Sequence, residues 1–484
     1  MAKSVAKNAF YNGLRAVSNL LFPIITYPYA TRHLLATNLG KVDFVSSVIS
    51  YFVLIAGLGI STYATREGAT YRENKDELNA FAREVFTISV FSTVISYLLL
   101  GGLILAWPRL HGYMALLAIQ SVSILGPMIG VDWVYSIHED FGYITLRSVI
   151  VQAVSALLLF LLVKTPDDYI VYAGITVFAN TGASVFNFVR SRHYVDIKLV
   201  WGFDVRRHLI PMLVLFGNAI ATTIYVNIDV TLINIFRNDY EVGIYSLAVR
   251  VHTILKNLLN SVLVVALPRL SLYLATDRSA EYEELRDSMF EGIIVAVLPI
   301  MALFILMADY VVMIMGGDGF VDSIVPLQIL CIAIAPAVLG CLIANAILLP
   351  NKEERMTLTA TVVGAVVNLL TNAVAIPRYG IIGASVTTVI AEFSVLTCLI
   401  WASRNHCDLR HMVAILSRPL LSSVLAIIAM AAVSHFLATV VSFNMVGFFV
   451  TGFALTLTAL IVLLLRRDAV VLRVMSLLRK RLGV

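Results

Sequence analysis

Fourteen stretches of this chain are long and apolar enough to cross a bilayer, and that constrains the fold more than any motif does. They run at about 9–31, 42–63, 85–107, 112–136, 146–163, 169–189, 209–236, 242–268, 290–314, 323–348, 357–376, 381–402, 419–440 and 445–465. Each approaches the roughly 20 residues a helix needs to span the hydrocarbon core. Such a helix keeps its backbone hydrogen bonds to itself, which lipid demands. The sequence therefore predicts an all-α polytopic membrane protein with about fourteen transmembrane helices.

Composition agrees. Sixty per cent of the 484 residues are hydrophobic, 13% are charged and the mean hydropathy is +0.89, whereas soluble domains average roughly 25% charged. No polar interval is long enough for a separate soluble domain. A net charge of +5 spread along the chain does not suggest nucleic acid. MAKSVAKN leads straight into a full-length span, so the first apolar run is expected to stay in place as a helix. Cys331, Cys341, Cys398 and Cys407 are scattered without a CxxC pair, which argues against a disulfide framework and a zinc site.

Lys and Arg set the orientation. With the N-terminus inside, 26 of them fall in inner segments, 6 in outer loops and 3 within spans, so both termini are expected in the cytoplasm. The charged stretches REGATYRENKDELNAFARE and DRSAEYEELRDSMFE read as connectors lying on the membrane surface. The basic tail RRDAVVLRVMSLLRKRL reads as a segment held by anionic headgroups.

Charges inside the spans are the candidates for function. Asp229 lies about two turns into the seventh run, Arg250 at similar depth in the eighth, and Lys256 near mid-bilayer. One such charge costs roughly 2.5–3.5 kcal/mol on insertion scales, so these groups are expected to face protein or a wet cavity. Arg15, Arg250 and Lys256 are balanced formally by Asp132, Asp229 and Glu392. Asp229 with Arg250, and Lys256 with Glu392, are candidate pairs for simple neutralisation. Asp229 and Glu392 are equally the candidates for ion coupling, since a carboxylate beside a buried cation can exchange a proton or bind Na⁺. The asparagines recurring along several helices, Asn227 among them, read mainly as interhelical hydrogen bonds, with a few able to touch sugar hydroxyls. Pro23, Pro28, Pro299, Pro326 and Pro336 are candidate bending points.

An offset of 200 residues superposes TRHLLATNLGKVDFVSSV on TLINIFRNDYEVGIYSLA, matching Thr31, Asn38, Val42 and Ser46 to Thr231, Asn238, Val242 and Ser246. Each is the turn between the first two spans of a six-span half, a repeat pattern found in transporters. There is no GxxxxGK[ST] loop for ATP, no HExxH and no large outer loop for a catalytic domain, so the chain is not expected to be an enzyme.

FPIITYPYATRHL, GVDWVYSIHEDF, IDVTLINIFRNDYEVGIYSLAVRV and AIPRYGIIGASVTTVIAEF resemble, in order and position, the polysaccharide-transport flippases of the multidrug/oligosaccharidyl-lipid/polysaccharide exporter superfamily. The resemblance covers essentially the whole chain. It implies two six-helix lobes plus two C-terminal helices, here 1–208, 209–403 and 404–484. The implied task is moving a polyprenyl-diphosphate-linked oligosaccharide across the cytoplasmic membrane by rocking of the lobes. The partners are then the lipid-linked sugar, membrane lipids and other polysaccharide-assembly proteins, with no cofactor beyond a coupling H⁺ or Na⁺. A diphosphate calls for cations, arginine above all because its planar fork holds two oxygens. Arg15, Arg32, Arg66, Arg147, Arg250 and Lys256 are accordingly the expected headgroup contacts. A multidrug exporter of the same superfamily and a membrane enzyme of glycan assembly are the rival readings.

Overall fold

The computed structural model describes residues 5–264, 267–441 and 443–466, and these contain helices and turns but no strand. The chain forms two compact units, Met1–Gly243 and Ile244–Val484.

In the first unit, α1 (Val5–Gly57) carries both of the first two expected spans. Its backbone leaves helical geometry at Leu35, with φ 63° and ψ 167°. The Asn38 amide just beyond donates to the Pro166 carbonyl at 2.7 Å. A short α2 (Ile60–Gly68) precedes α3 (Lys75–Ala106). Asn74 caps α3 by accepting from the Asp76 and Glu77 N–H groups, and both acids suit the positive end of the helix dipole. The charged stretch after the second span joins two helices, and its residues 69–77 are mostly exposed. It ends α2 and starts α3, with Leu78, Phe81 and Ala82 buried. Interhelical bonds tie α3 to α1: Ser92 and Ser96 donate to the Ala56 and Phe52 carbonyls, each at 2.7 Å.

The fourth expected span is broken into α4 (Met114–Ser121), α5 (Gly126–Gly130) and α6 (Asp132–Ile137). The last break is at Val131, whose φ of 37° is costly for a β-branched residue. Then follow α7 (Phe141–Leu162), α8 (Tyr169–Ser191) and α9 (Val205–Phe236). The division into units falls between Gly243 and Ile244. The physical reason is that α9 packs along α1 and touches α2 and α3. Beside Gly59 there is room only for hydrogen, because a methyl there would come within 2.8 Å of the Met212 carbonyl on α9.

Helix α10 (Asp239–Val264) leads into the second unit. It is followed by α11 (Leu267–Ala275), α12 (Ser279–Leu306), α13 (Ala308–Met315), α14 (Ile324–Ile343), α15 (Glu354–Ser403), α16 (Leu409–Val440) and α17 (Met445–Leu465). The second charged stretch, after the eighth span, forms the first turns of α12. There Arg286 is buried against Asp287 at 2.8 Å and its neighbour Tyr282 donates to the Ala346 carbonyl at 2.9 Å. Like α1, α15 holds two spans, parted at Gly380 with φ 56°. Eleven helices among the described residues are long and apolar enough to cross a membrane. Among the described residues α1 and α15 are each long enough for two crossings, and α10, at 26 residues, is long enough for one although it is not among the eleven. Pro23, Pro28, Pro299 and Pro336 lie inside helices, whereas backbone breaks occur at Leu35, Val131 and Gly380. The basic C-terminal tail lies outside the described residues.

Candidate functional site

The first unit contains a cavity of about 540 Å³ among α1, α4, α5, α8 and α9, within the roughly 300–1,000 Å³ usual for small-molecule sites. Its wall carries no charged side chain and mixes apolar surface, from Ile49, Val53, Leu54, Pro127 and Val177, with polar groups. Ser46 and Ser50 come from α1 and Gln120 from α4. Ser123 stands between α4 and α5, Thr176, Asn180, Thr181 and Ser184 on α8, and Thr223 and Asn227 on α9. Along each long helix these residues recur about every four positions, which aligns them on one face.

Some are satisfied locally. Ser50 and Thr176 donate to the carbonyls of Ser47 and Ala173, and Asn227 donates to that of Thr223. Gln120 is 3% exposed; its amide donates to the Val42 carbonyl at 3.1 Å, while its oxygen has no partner among the described residues. The side chains of Ser46, Ser123, Asn180, Thr181, Ser184 and Thr223 make no hydrogen bond among the described residues. An unsatisfied polar group in apolar surroundings costs about 1–3 kcal/mol. Several such groups facing one cavity suit a space that holds water or a hydroxyl-rich ligand.

An ion pair lies next to the cavity, bonded to the residue before Ser184. Arg147 on α7 is 8% exposed, bridges to Asp132 at 2.9 Å and donates to the Ala183 carbonyl at 2.6 Å. Asn187 donates to Asp132 and to the Gly130 carbonyl. The bend at Val131 directs Asp132 into this clamp. Gly130 is also at the cavity wall, since a methyl there would sit 3.4 Å from the Ser184 hydroxyl.

The remaining residues expected at a headgroup site are dispersed. Arg15 is half-buried on α1, close enough to Arg147 for their charges to interact, and has no ion-pair partner among the described residues. Arg32 is exposed and donates to the Pro28 carbonyl on its own helix. Arg66 is exposed at the end of α2. In the second unit, the Lys256 ammonium lies 3.6 Å from the Glu392 carboxylate, whose side chain is 7% exposed. Asp229 is buried on α9, near enough to Tyr51 to act on it electrostatically, and Arg250 is half-buried on α10. The cavity wall thus brings together none of the expected cations. Of its polar residues only Asn227 stood among those expected to touch sugar.

The turns singled out by the internal repeat meet backbone to backbone. A methyl added at Gly40 would overlap the Asp239 carbonyl and come within 2.8 Å of the Gly243 nitrogen. One added at Gly243 would overlap the Ala36 carbonyl and lie 2.7 Å from its carbon. Side chains from the 107–113 turn hold the same place. Arg109 donates to the Asn234 and Ile235 carbonyls at the C-terminal end of α9, and Tyr113 donates to Asp239 at 2.7 Å.

A polytopic helical bundle with a partly polar cavity inside an apolar shell has the architecture of a membrane transporter. A family model described as "Polysaccharide biosynthesis protein" matches residues 5–274, and the chain belongs to that family. It is 24% identical over 277 residues to a "Putative O-antigen transporter" of Escherichia coli (strain K12), spanning 57% of this chain and 67% of that protein. It is 22% identical over 401 residues to a protein of the same name from Shigella dysenteriae, spanning 80% and 96%. Among solved structures, its fold is similar to the lipid II flippase MurJ in an inward closed conformation. That match has a TM-score of 0.73 at 14% identity and covers 96% of this chain and 100% of that one. The fold is also similar to an inward-facing MATE family multidrug resistance transporter, with a TM-score of 0.56 at 15% identity, covering 83% and 96%.

Proposed function

We propose that this chain is a flippase that carries a lipid-linked oligosaccharide precursor of surface polysaccharide across the cytoplasmic membrane. The observation that carries the reading is the cavity in the first unit, whose wall has no charged side chain and sets uncommitted hydroxyls and amides among apolar patches, a mixture that suits the polar edges and apolar faces of a sugar ring. Membership of the polysaccharide biosynthesis family supports it, as do the O-antigen transporters among the relatives and the flippase likeness in fold. The bias of Lys and Arg supports cytoplasmic termini. A cationic-drug exporter would place a carboxylate against its cargo, and this cavity wall has none. The reaction is translocation with no bond made or broken, by alternating access and with the polyprenyl tail remaining in lipid. Arg15 supplies positive charge for the diphosphate beside the cavity. Glu392 and Asp229 are the carboxylates through which an H⁺ or Na⁺ gradient would act. Removing the protein from its host should strand lipid-linked oligosaccharide on the cytoplasmic face and leave cationic-dye efflux unchanged. Normal surface glycan together with lost dye efflux would favour the multidrug reading.

A further inference from the structure

The wall of the cavity also limits which sugars fit it, an inference that rests on the flippase reading above. Hydroxyls and primary amides both donate and accept, which matches the mixed donor and acceptor surface of a sugar ring. Ser123, Asn180, Thr181, Ser184 and Thr223 have that capacity uncommitted among the described residues. No lining residue carries a charge. The adjacent Arg147 is bound to Asp132 and the Ala183 carbonyl, so it offers no free counter-charge.

We propose that this cavity is a glycan subsite for an uncharged, hydroxyl-rich part of the oligosaccharide, and that it selects against glycans bearing a carboxylate at the sugars seated there. A neutral hexose exchanges its water hydrogen bonds for those of the wall at little loss. A uronic acid in the same place loses the hydration of its carboxylate and finds no cation in return. The diphosphate would then be met outside this cavity, where Arg15 is a candidate cation. The cavity therefore reads the glycan while Arg15 reads the carrier.

The test uses the full chain in proteoliposomes and two lipid-diphosphate oligosaccharides that differ only by one hexose replaced with the corresponding hexuronic acid. Two quantities are read: transfer between leaflets, and protection of a thiol introduced by Asn180→Cys from alkylation, followed on its peptide. The neutral glycan should protect the thiol and cross at least about tenfold faster than the acidic one. Asn180→Lys should narrow or reverse that preference by supplying the missing cation. Equal transfer and equal protection by both glycans would overturn the subsite and leave the flippase reading standing. Transfer of both glycans without protection of the thiol would do the same. If neither glycan moved or protected, both readings would fall together.

Discussion

Replacing Gly40 with alanine tests whether the contact between the two repeat-related turns governs access to the cavity. The added methyl would overlap the Asp239 carbonyl and lie 2.8 Å from the Gly243 nitrogen, where about 3.5 Å is the near limit of comfortable contact. The nitrogen alone would require the turns to part by about 0.7 Å, and relieving the overlap with the Asp239 carbonyl requires more. Both obstacles are backbone atoms, which cannot rotate aside as a side chain would. Overpacking of this kind costs about 1–3 kcal/mol, borne only by the state in which the turns touch. At about 1.4 kcal/mol per factor of ten, the closed state loses about fivefold to a little over a hundredfold in population against any state in which they separate. The assay is alkylation of a Ser46→Cys probe at the cavity wall by an impermeant reagent applied from the non-cytoplasmic side. With Gly40→Ala the rate should rise at least about fivefold, and surface glycan should fall at unchanged levels of inserted protein. Wild-type labelling and wild-type export in Gly40→Ala would refute the idea that this seam closes anything.

Three further outcomes follow from the charges. Arg15→Ala and Arg250→Ala should each abolish surface polysaccharide without lowering the amount of inserted protein, judged by glycan blotting beside membrane quantification. Arg147→Ala should act on folding first. Breaking a buried ion pair costs about 3–5 kcal/mol, and the 43% exposure of Asp132 reduces this to about 1–3 kcal/mol; thermal unfolding in detergent would show the loss. Glu392→Gln should lower thermal stability by leaving the Lys256 ammonium unpaired, and adding Lys256→Met should recover most of it; additive losses would show that the two groups are not coupled.

The spans were legible because hydropathy over twenty residues is a local property. What merged or split them was not. Leu35 and Gly380 join pairs of spans into long bent helices, and Val131 breaks the fourth; none of the three stands at a proline, where bends were expected. The charged stretches before α3 and α12 looked solvated because their composition is polar, yet Phe81 and Arg286 in them are buried by neighbours distant in sequence. The clamp was hidden for the same reason. Arg147 was singled out as a headgroup contact, but its partners Asp132 and Ala183 arrive from other helices and engage its fork. The cavity wall did leave a signal. Ser46 and Ser50, then Thr176, Asn180 and Ser184, then Thr223 and Asn227 repeat every four residues in otherwise apolar runs. A search for polar stripes at helical spacing would have found them, whereas a search for charges passed over them.

The most direct measurement is translocation by the purified chain alone. Vesicles carrying a labelled polyprenyl-diphosphate oligosaccharide in one leaflet should expose it in the other at a rate proportional to protein, and Arg15→Ala should remove that activity. No transfer above protein-free vesicles, with a cationic dye moved instead, would contradict the account.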